Sequence, residues 1–316
     1  MFKRKTILVT GGTGTIGSYV VKMLLSTGAR KIIVLSRNEY NQYLMKLKYP
    51  TVKYVIGDIC NYDLLEESFR KVDYVIHTAA LKHVGVSEDN PLECVRININ
   101  GSANVAKAAI KNNVEKVLFI STDKVNKPKC VYGNSKAISE KICLNSDGKS
   151  RTIFSVVRFG NIFGSKGSVV EKFYESSKTD NVFPIKNPEA TRCFISIKKV
   201  WEYIQIAIKI MKGGEIMVPK MKSICIQNIP KLLRTDAKIK YVPLHNFEKI
   251  HEDIIIDRDM DNLYEENNLY ILTNNKTIGE LYTKVMLKNE ITSATCEFYT
   301  TEECMELYDE FKDILY

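Results

Sequence analysis

The run Thr10-Gly11-Gly12-Thr13-Gly14-Thr15-Ile16-Gly17, directly after the apolar pentapeptide Thr6–Thr10, constrains this chain more than any other feature. A short buried strand that ends in glycines three apart and then opens a helix is the mark of a βαβ unit built around a dinucleotide. Gly11 permits the tight turn, Gly14 lets backbone approach a pyrophosphate, and Gly17 lets the helix pack closely on the strand. The pyrophosphate would lie at the positive end of the helix dipole. Thr13, Thr15 and Ile16 share that turn and are cofactor-binding candidates with it.

The first half of the chain continues the alternation. Lys31 to Ser36, Lys53 to Ile56, Tyr74 to His77, Lys116 to Ser121 and Phe154 to Arg158 read as buried parallel strands. Amphipathic stretches at Gly17 to Ser26, Tyr62 to Arg70, Pro91 to Asn112 and Ser135 to Leu144 read as the helices between them. The pattern predicts an α/β fold of Rossmann type, a doubly wound parallel sheet. Beyond about Gly164, Pro184, Pro188, Pro219, Pro230 and Pro243 break the regularity. Residues 1–164 are expected to be mainly the dinucleotide-binding domain and 165–316 mainly a smaller substrate-binding lobe, with parts of the chain returning to the sheet. Thr300 and Glu303 form a capping box for a last helix.

Charge and cysteine usage narrow the function class. The net charge is +9, but the Lys and Arg residues are scattered, with no basic run of the kind that tracks nucleic acid. A phosphate-bearing ligand would also favour a basic site. The eight cysteines form no CxxC pair and no metal-ligand spacing, so free thiols are expected and no metal. No secretory leader is evident, and no run approaches the ~18 apolar residues of a membrane span. A soluble, cytoplasmic protein is expected.

The end of the second strand distinguishes between dinucleotides. An acidic residue there would serve the ribose hydroxyls of NAD. This strand instead ends Leu35-Ser36-Arg37-Asn38, and Ser36 and Arg37 suit the 2′-phosphate of NADP. Asp58 is positioned for the adenine amino group, and Ala79 and Ala80 are small enough for the cofactor to lie close.

Two further motifs carry chemistry. In Tyr132-Gly133-Asn134-Ser135-Lys136, a helix would set Tyr132 and Lys136 on one face. There the ammonium would lower a phenol pKa that begins near ~10 and ready it to take a proton from a sugar hydroxyl. Ser121-Thr122-Asp123-Lys124, at the end of a central strand, pairs an acid with an amine, as elimination of water requires. Lys124 is the candidate base and Asp123 the candidate acid. Cys130 reads as a packing residue.

Taken with Thr78 to Val84, Asn90 to Glu93, Val157 to Asn161, Gly164 to Val170, Gly213 to Lys220 and Glu248 to Glu252, these motifs resemble UDP-N-acetylglucosamine 4,6-dehydratases of the extended short-chain dehydrogenase/reductase family. The likeness is nearest to the inverting type of pseudaminic acid biosynthesis, because Tyr132 stands where many relatives carry Met. The resemblance implies NADP-dependent oxidation at carbon 4, loss of water across carbons 5 and 6, hydride return to carbon 6 and inversion at carbon 5. It implies catalytic roles for Thr122, Asp123, Lys124, Tyr132 and Lys136. Ile59, Lys82 and Asn98 would join the cofactor ligands. Lys82, Asn161, Gly167, Ser168, Val169, Arg192, Lys220 and Arg258 would bind the UDP-sugar, with Arg192 as a phosphate fork. A homo-oligomer, a dimer or a ring of dimers, is expected through the helices at Pro91 to Asn112 and Ser135 to Leu144. A retaining dehydratase, a sugar-nucleotide 4-epimerase and a non-catalytic NADP sensor stay open as alternatives. The Asp123-Lys124 pair speaks against the epimerase and the intact YxxxK motif against the sensor.

Overall fold

A computed structural model describes residues 1–315. The apolar runs of the first half become β1 (Thr6–Thr10), β2 (Lys31–Ser36), β3 (Lys53–Ile56), β4 (Tyr74–His77), β5 (Lys116–Thr122) and β6 (Ile153–Phe159). Between them lie α1 (Thr15–Leu24), α2 (Glu39–Lys48), α3 (Tyr62–Ser68), α4 (Val84–Asp89), α5 (Pro91–Cys94), α6 (Ser102–Lys111) and α7 (Val131–Leu144). β1 is buried along its length, and β2, β5 and β6 nearly so, because helices cover both faces of a parallel sheet. The stretch Pro91 to Asn112, expected as one regular helix, contains a π-helical segment at Val95–Gly101 that joins α5 to α6.

The second half contributes β7 (Asn161–Ile162), α8 (Val169–Ser177), β8 (Val182–Ile185), β9 (Thr191–Ile195), α9 (Ile197–Ile210), β10 (Ile216–Pro219), β11 (Lys222–Cys225), α10 (Ile229–Leu233) and β12 (Lys238–Tyr241). It ends with β13 (Asp253–Ile255), α11 (Asp257–Met260), β14 (Leu263–Glu266), β15 (Leu269–Leu272), α12 (Lys276–Gly279), β16 (Thr283–Lys284), β17 (Ile291–Thr292) and α13 (Thr301–Leu315). The main sheet has ten strands in the order β16-β14-β15-β10-β6-β5-β4-β1-β2-β3. From β3 to β10 all neighbours are parallel; β15, β14 and β16 extend the far edge antiparallel. The strand order reverses beside β1, where β2 lies on one side and β4 on the other, and ligands of such sheets bind at the carboxyl ends there.

Local chemistry sets the helix ends. Ser196 caps α9 by accepting from the Lys199 amide, and Ser168 caps α8 through the Glu171 amide, each bond contributing about 1 kcal/mol. In α9, Ile197, Val200, Trp201, Ile204, Ala207 and Ile208 recur at helical spacing and face the main core, with the Trp201 ring stacked on Phe2 at 5.5 Å. The capping box forms as expected: the Glu303 amide donates to Thr300 Oγ1 and the Thr300 amide to the Glu303 carboxylate. α13 thereby packs Leu307 and Phe311 into a second apolar cluster with Phe163, Phe173, Phe183 and Phe194. All eight cysteines are free thiols. Among the described residues, no helix is long and apolar enough to cross a membrane.

Candidate active site

One cleft of about 1540 Å³ opens at the carboxyl ends of the parallel strands, with the β1–α1 turn on one side and the second apolar cluster's elements on the other. The turn is shaped by close approach. Gly11 has φ +66°, and a Cβ there would lie 2.7 Å from the Ala79 main chain; a Cβ at Gly17 would meet the Gly11 carbonyl oxygen at 2.4 Å. Side chains are excluded from this corner, which fits a ligand cradled by backbone. Thr10 Oγ1 and His77 Nδ1, 2.7 Å apart, tie β1 to β4 beneath it.

At the tip of β2, Ser36 and Arg37 face the cleft. Gln42, which the sequence reading passed over, donates to both the carbonyl and the hydroxyl oxygen of Ser36, at 2.8 and 2.9 Å. The Ser36 hydroxyl proton is thereby left for a ligand. Arg37 stands loosely beside Glu93, at 3.8 Å. Asp58 pairs with Arg96 at 2.9 Å; burial raises its pKa, but the Cys60 amide and Arg96 outweigh that and hold it below the usual range.

The end of the cleft that holds Thr122 and Lys124 lies where β5 stops. Thr122 Oγ1 donates to Asp123 Oδ1 at 3.0 Å, and Lys124 Nζ donates to the same oxygen at 3.0 Å. Asp123 is buried behind Lys124, and its Oδ2 has no hydrogen-bond partner. Burial pushes its pKa up, with Glu252 adding to the rise, against the pull of Lys124 and Thr122. Burial works against charge on Lys124 as well, but Asp123 and Glu252 overrule it and raise the pKa. In the resting cleft Lys124 is an ammonium group.

α7 presents Tyr132 in its first turn, where Cys130 caps the helix through a 3.2 Å bond from the Gly133 amide to Sγ. Burial pushes the Tyr132 phenol up to about 12, with Lys124 and Thr122 pulling it down. This corrects the expectation that Lys136 lowers the phenol pKa. Lys136 Nζ donates to the Ile120 carbonyl at 2.7 Å, and burial brings its own pKa down to about 8.

All of the expected site residues line this cleft except Asp123, Asn98, Lys220 and Arg258. Asn98, expected at the cofactor, sits in the π-helical segment as a brace. Its amide group donates to the Leu81 carbonyl at 3.0 Å and to Ser135 Oγ at 2.9 Å, and its oxygen accepts from the Leu81 amide. Lys220 follows β10, which is separated from β4 by β5 and β6, and it pairs with Glu265 there. Arg258 lies on α11 at a separate, smaller pocket lined also by Arg158 and Glu140. Neither reaches the cleft. Arg192 does line it, but its guanidinium donates to the carbonyls of Thr191, Ile250 and Lys249, each at 2.7 Å, so it holds the chain together more than it forms a free fork.

Comparison with known proteins follows the same outline. Residues 7–274 match the family model described as "Polysaccharide biosynthesis protein". The chain is 38% identical over 280 residues to the protein named UDP-N-acetylglucosamine 4,6-dehydratase (inverting) of Campylobacter jejuni, covering 86% of this chain and 84% of that one. It is 32% identical over 330 residues to the protein named UDP-glucose 4-epimerase of Rickettsia bellii, covering 100% and 96%. The X-ray structure of Pen from Bacillus thuringiensis superposes with a TM-score of 0.92 at 31% identity, covering 99% of both chains.

Proposed function

The chain belongs to the polysaccharide biosynthesis protein family, and from that membership we propose that it is an NADP-dependent UDP-N-acetylglucosamine 4,6-dehydratase, a hydro-lyase that inverts carbon 5. The observation that carries this reading is one cleft shared by Thr122, Lys124, Tyr132 and a glycine cradle, with Asp123 buried against Lys124 directly behind its wall. The β1–α1 turn would hold a dinucleotide pyrophosphate, Asp58 its adenine, and Ser36 with Arg37 a 2′-phosphate. Bound there, NADP would accept hydride from carbon 4 of the sugar and return it to carbon 6. Tyr132 would take the proton of the carbon-4 hydroxyl, with Thr122 and Lys124 stabilising the phenolate. Asp123, in its acid form, would protonate the hydroxyl leaving carbon 6. Lys124, having passed its ammonium proton to Asp123 across their 3.0 Å contact, would take the proton from carbon 5, made acidic by the neighbouring ketone, and a solvent proton would reach the opposite face of carbon 5 as hydride returns to carbon 6.

The relative named as a 4-epimerase raises a second reading. Epimerisation at carbon 4 needs no base at carbon 5, so the Asp123–Lys124 pair favours dehydration. Exposed apolar side chains at Val86, Leu92, Val95 and Ile138, on α4, α5, the π-helical segment and α7, support a homo-oligomer built on this face.

The test is proton NMR of the purified protein with UDP-N-acetylglucosamine in deuterated water, with NADP or NAD supplied in parallel. A 6-deoxy methyl signal with deuterium at carbon 5 and L-arabino couplings, stronger with NADP, is the expected result. D-xylo couplings would make the enzyme a retaining one. A signal for the carbon-4 epimer with no methyl would overturn the dehydratase reading.

A further inference from the structure

Glu252 lies 128 residues from Lys124 in the chain, yet the two meet in the fold. Its segment is drawn into the cleft wall by β9: Arg192 donates to the carbonyls of Lys249 and Ile250, and the Thr191 amide donates to the Ile250 carbonyl at 3.1 Å. The Glu252 amide donates to Ser293 Oγ at 2.9 Å, and its carbonyl accepts from the Ser293 amide. The backbone on both sides of the residue is thus pinned. The side chain is buried, and its Oε1 stands 3.4 Å from Lys124 Nζ and 3.5 Å from Arg192 Nε.

Lys124 Nζ is consequently ringed by three oxygens: Asp123 Oδ1 at 3.0 Å, Asn161 Oδ1 at 3.1 Å and Glu252 Oε1. A buried carboxylate is retained at such cost only when paired, and here one carboxylate serves two cations from different parts of the chain. One of these, Arg192, anchors the wall segment, and the other is the proposed base.

We propose that Glu252 is a positioning residue for the dehydration, holding the Lys124 amine at the end of β5 and coupling its charge to the seating of the 249–252 segment. This inference rests on the function proposed above, in which Lys124 takes the proton from carbon 5. The groups facing Lys124 are Asp123, Glu252, Arg192, Tyr132 and Cys130; those facing Glu252 are Lys124, Arg192, Lys249, Asp123 and Cys130. Removing the Glu252 charge leaves Asp123 alone to favour the ammonium, with Arg192 now opposing it. Lys124 then loses its proton at lower pH.

The experiment uses the full-length protein and its variants Glu252→Gln and Glu252→Asp. Reductive methylation with ¹³C-formaldehyde labels the lysines, the Lys124 signal is identified by its loss in Lys124→Arg, and its titration is followed by NMR. In Glu252→Gln the Lys124 midpoint is expected to fall by about one to three pH units, and the rising limb of the kcat profile with UDP-N-acetylglucosamine to move with it. Glu252→Asp, whose carboxylate is drawn back by one methylene, should give an intermediate shift and serves as the test if the Gln variant does not fold. An unmoved Lys124 midpoint in a folded variant overturns the proposal. So does a kcat lowered equally at every pH, which would make Glu252 structural only. A shifted Lys124 midpoint in a protein that dehydrates no UDP-sugar upholds the coupling and rejects the dehydratase reading.

Discussion

His77 is fully buried, bonded to Thr10 Oγ1 and Ser102 Oγ, and burial brings its pKa down to about 3. The folded state therefore keeps the ring neutral where the unfolded chain, with an imidazole pKa near ~6.5, takes up a proton. This contribution to stability is complete above pH 6.5 and lost as the pH falls toward 3, at about 1.4 kcal/mol per unit. Urea unfolding at pH 7.5 and 5.5 should show wild type losing about 1.4 kcal/mol more than His77→Gln between the two; equal losses would mean the ring is protonated in the fold. At this scale the sequence was most readable where a motif fixed its own geometry. The glycine turn, Thr122 to Lys124 and Tyr132 to Lys136 needed only a strand end and a helix turn to take shape. Gln42 was invisible, and Glu252 stood only within a stretch of the resemblance with no link to Lys124, because no local period joins either to its partners. Lys220 and Arg258 were assigned by resemblance, and sheet order carries both away from the cleft.

Among the elements, α7 bears most on the proposed chemistry, since it presents Tyr132 and Lys136 together. Its position is fixed from below by a buried ion pair: Arg158 of β6 donates to both carboxylate oxygens of Glu140 at 2.9 and 2.8 Å and to Asn126 Oδ1 at 3.2 Å. Removing one partner leaves the other charge buried and alone, so Glu140→Ala should cost about 3–5 kcal/mol in urea unfolding. A loss under 1 kcal/mol would show that water reaches Arg158. Strand positions were legible because both-face burial writes continuous apolar runs. The π-helical turn was not, since no motif in Val95 to Gly101 marks where the spiral widens; in the fold Asn98 braces this turn against Leu81 and Ser135.

For the whole molecule, the exposed face at Val86, Leu92, Val95 and Ile138 makes a testable demand. Leu92, 84% exposed, is the most open of these, and on the proposed homo-oligomer Leu92→Glu should lower the mass in light scattering without lowering the thermal midpoint of the isolated chain. An unchanged mass would reject this face as the contact of a homo-oligomer. The alternation of strands and helices made the parallel half of the sheet readable from sequence. The return of the chain to that sheet at β10, β15, β14 and β16 was only half legible, because short strands beyond the prolines carry little period of their own. That return also bears on how the protein is made. When β6 leaves the ribosome, the flank that β10 will cover is a bare apolar edge, and it stays bare while β7, α8, β8, β9 and α9 are synthesised. Translation speed across that interval should therefore bear on the yield of folded protein.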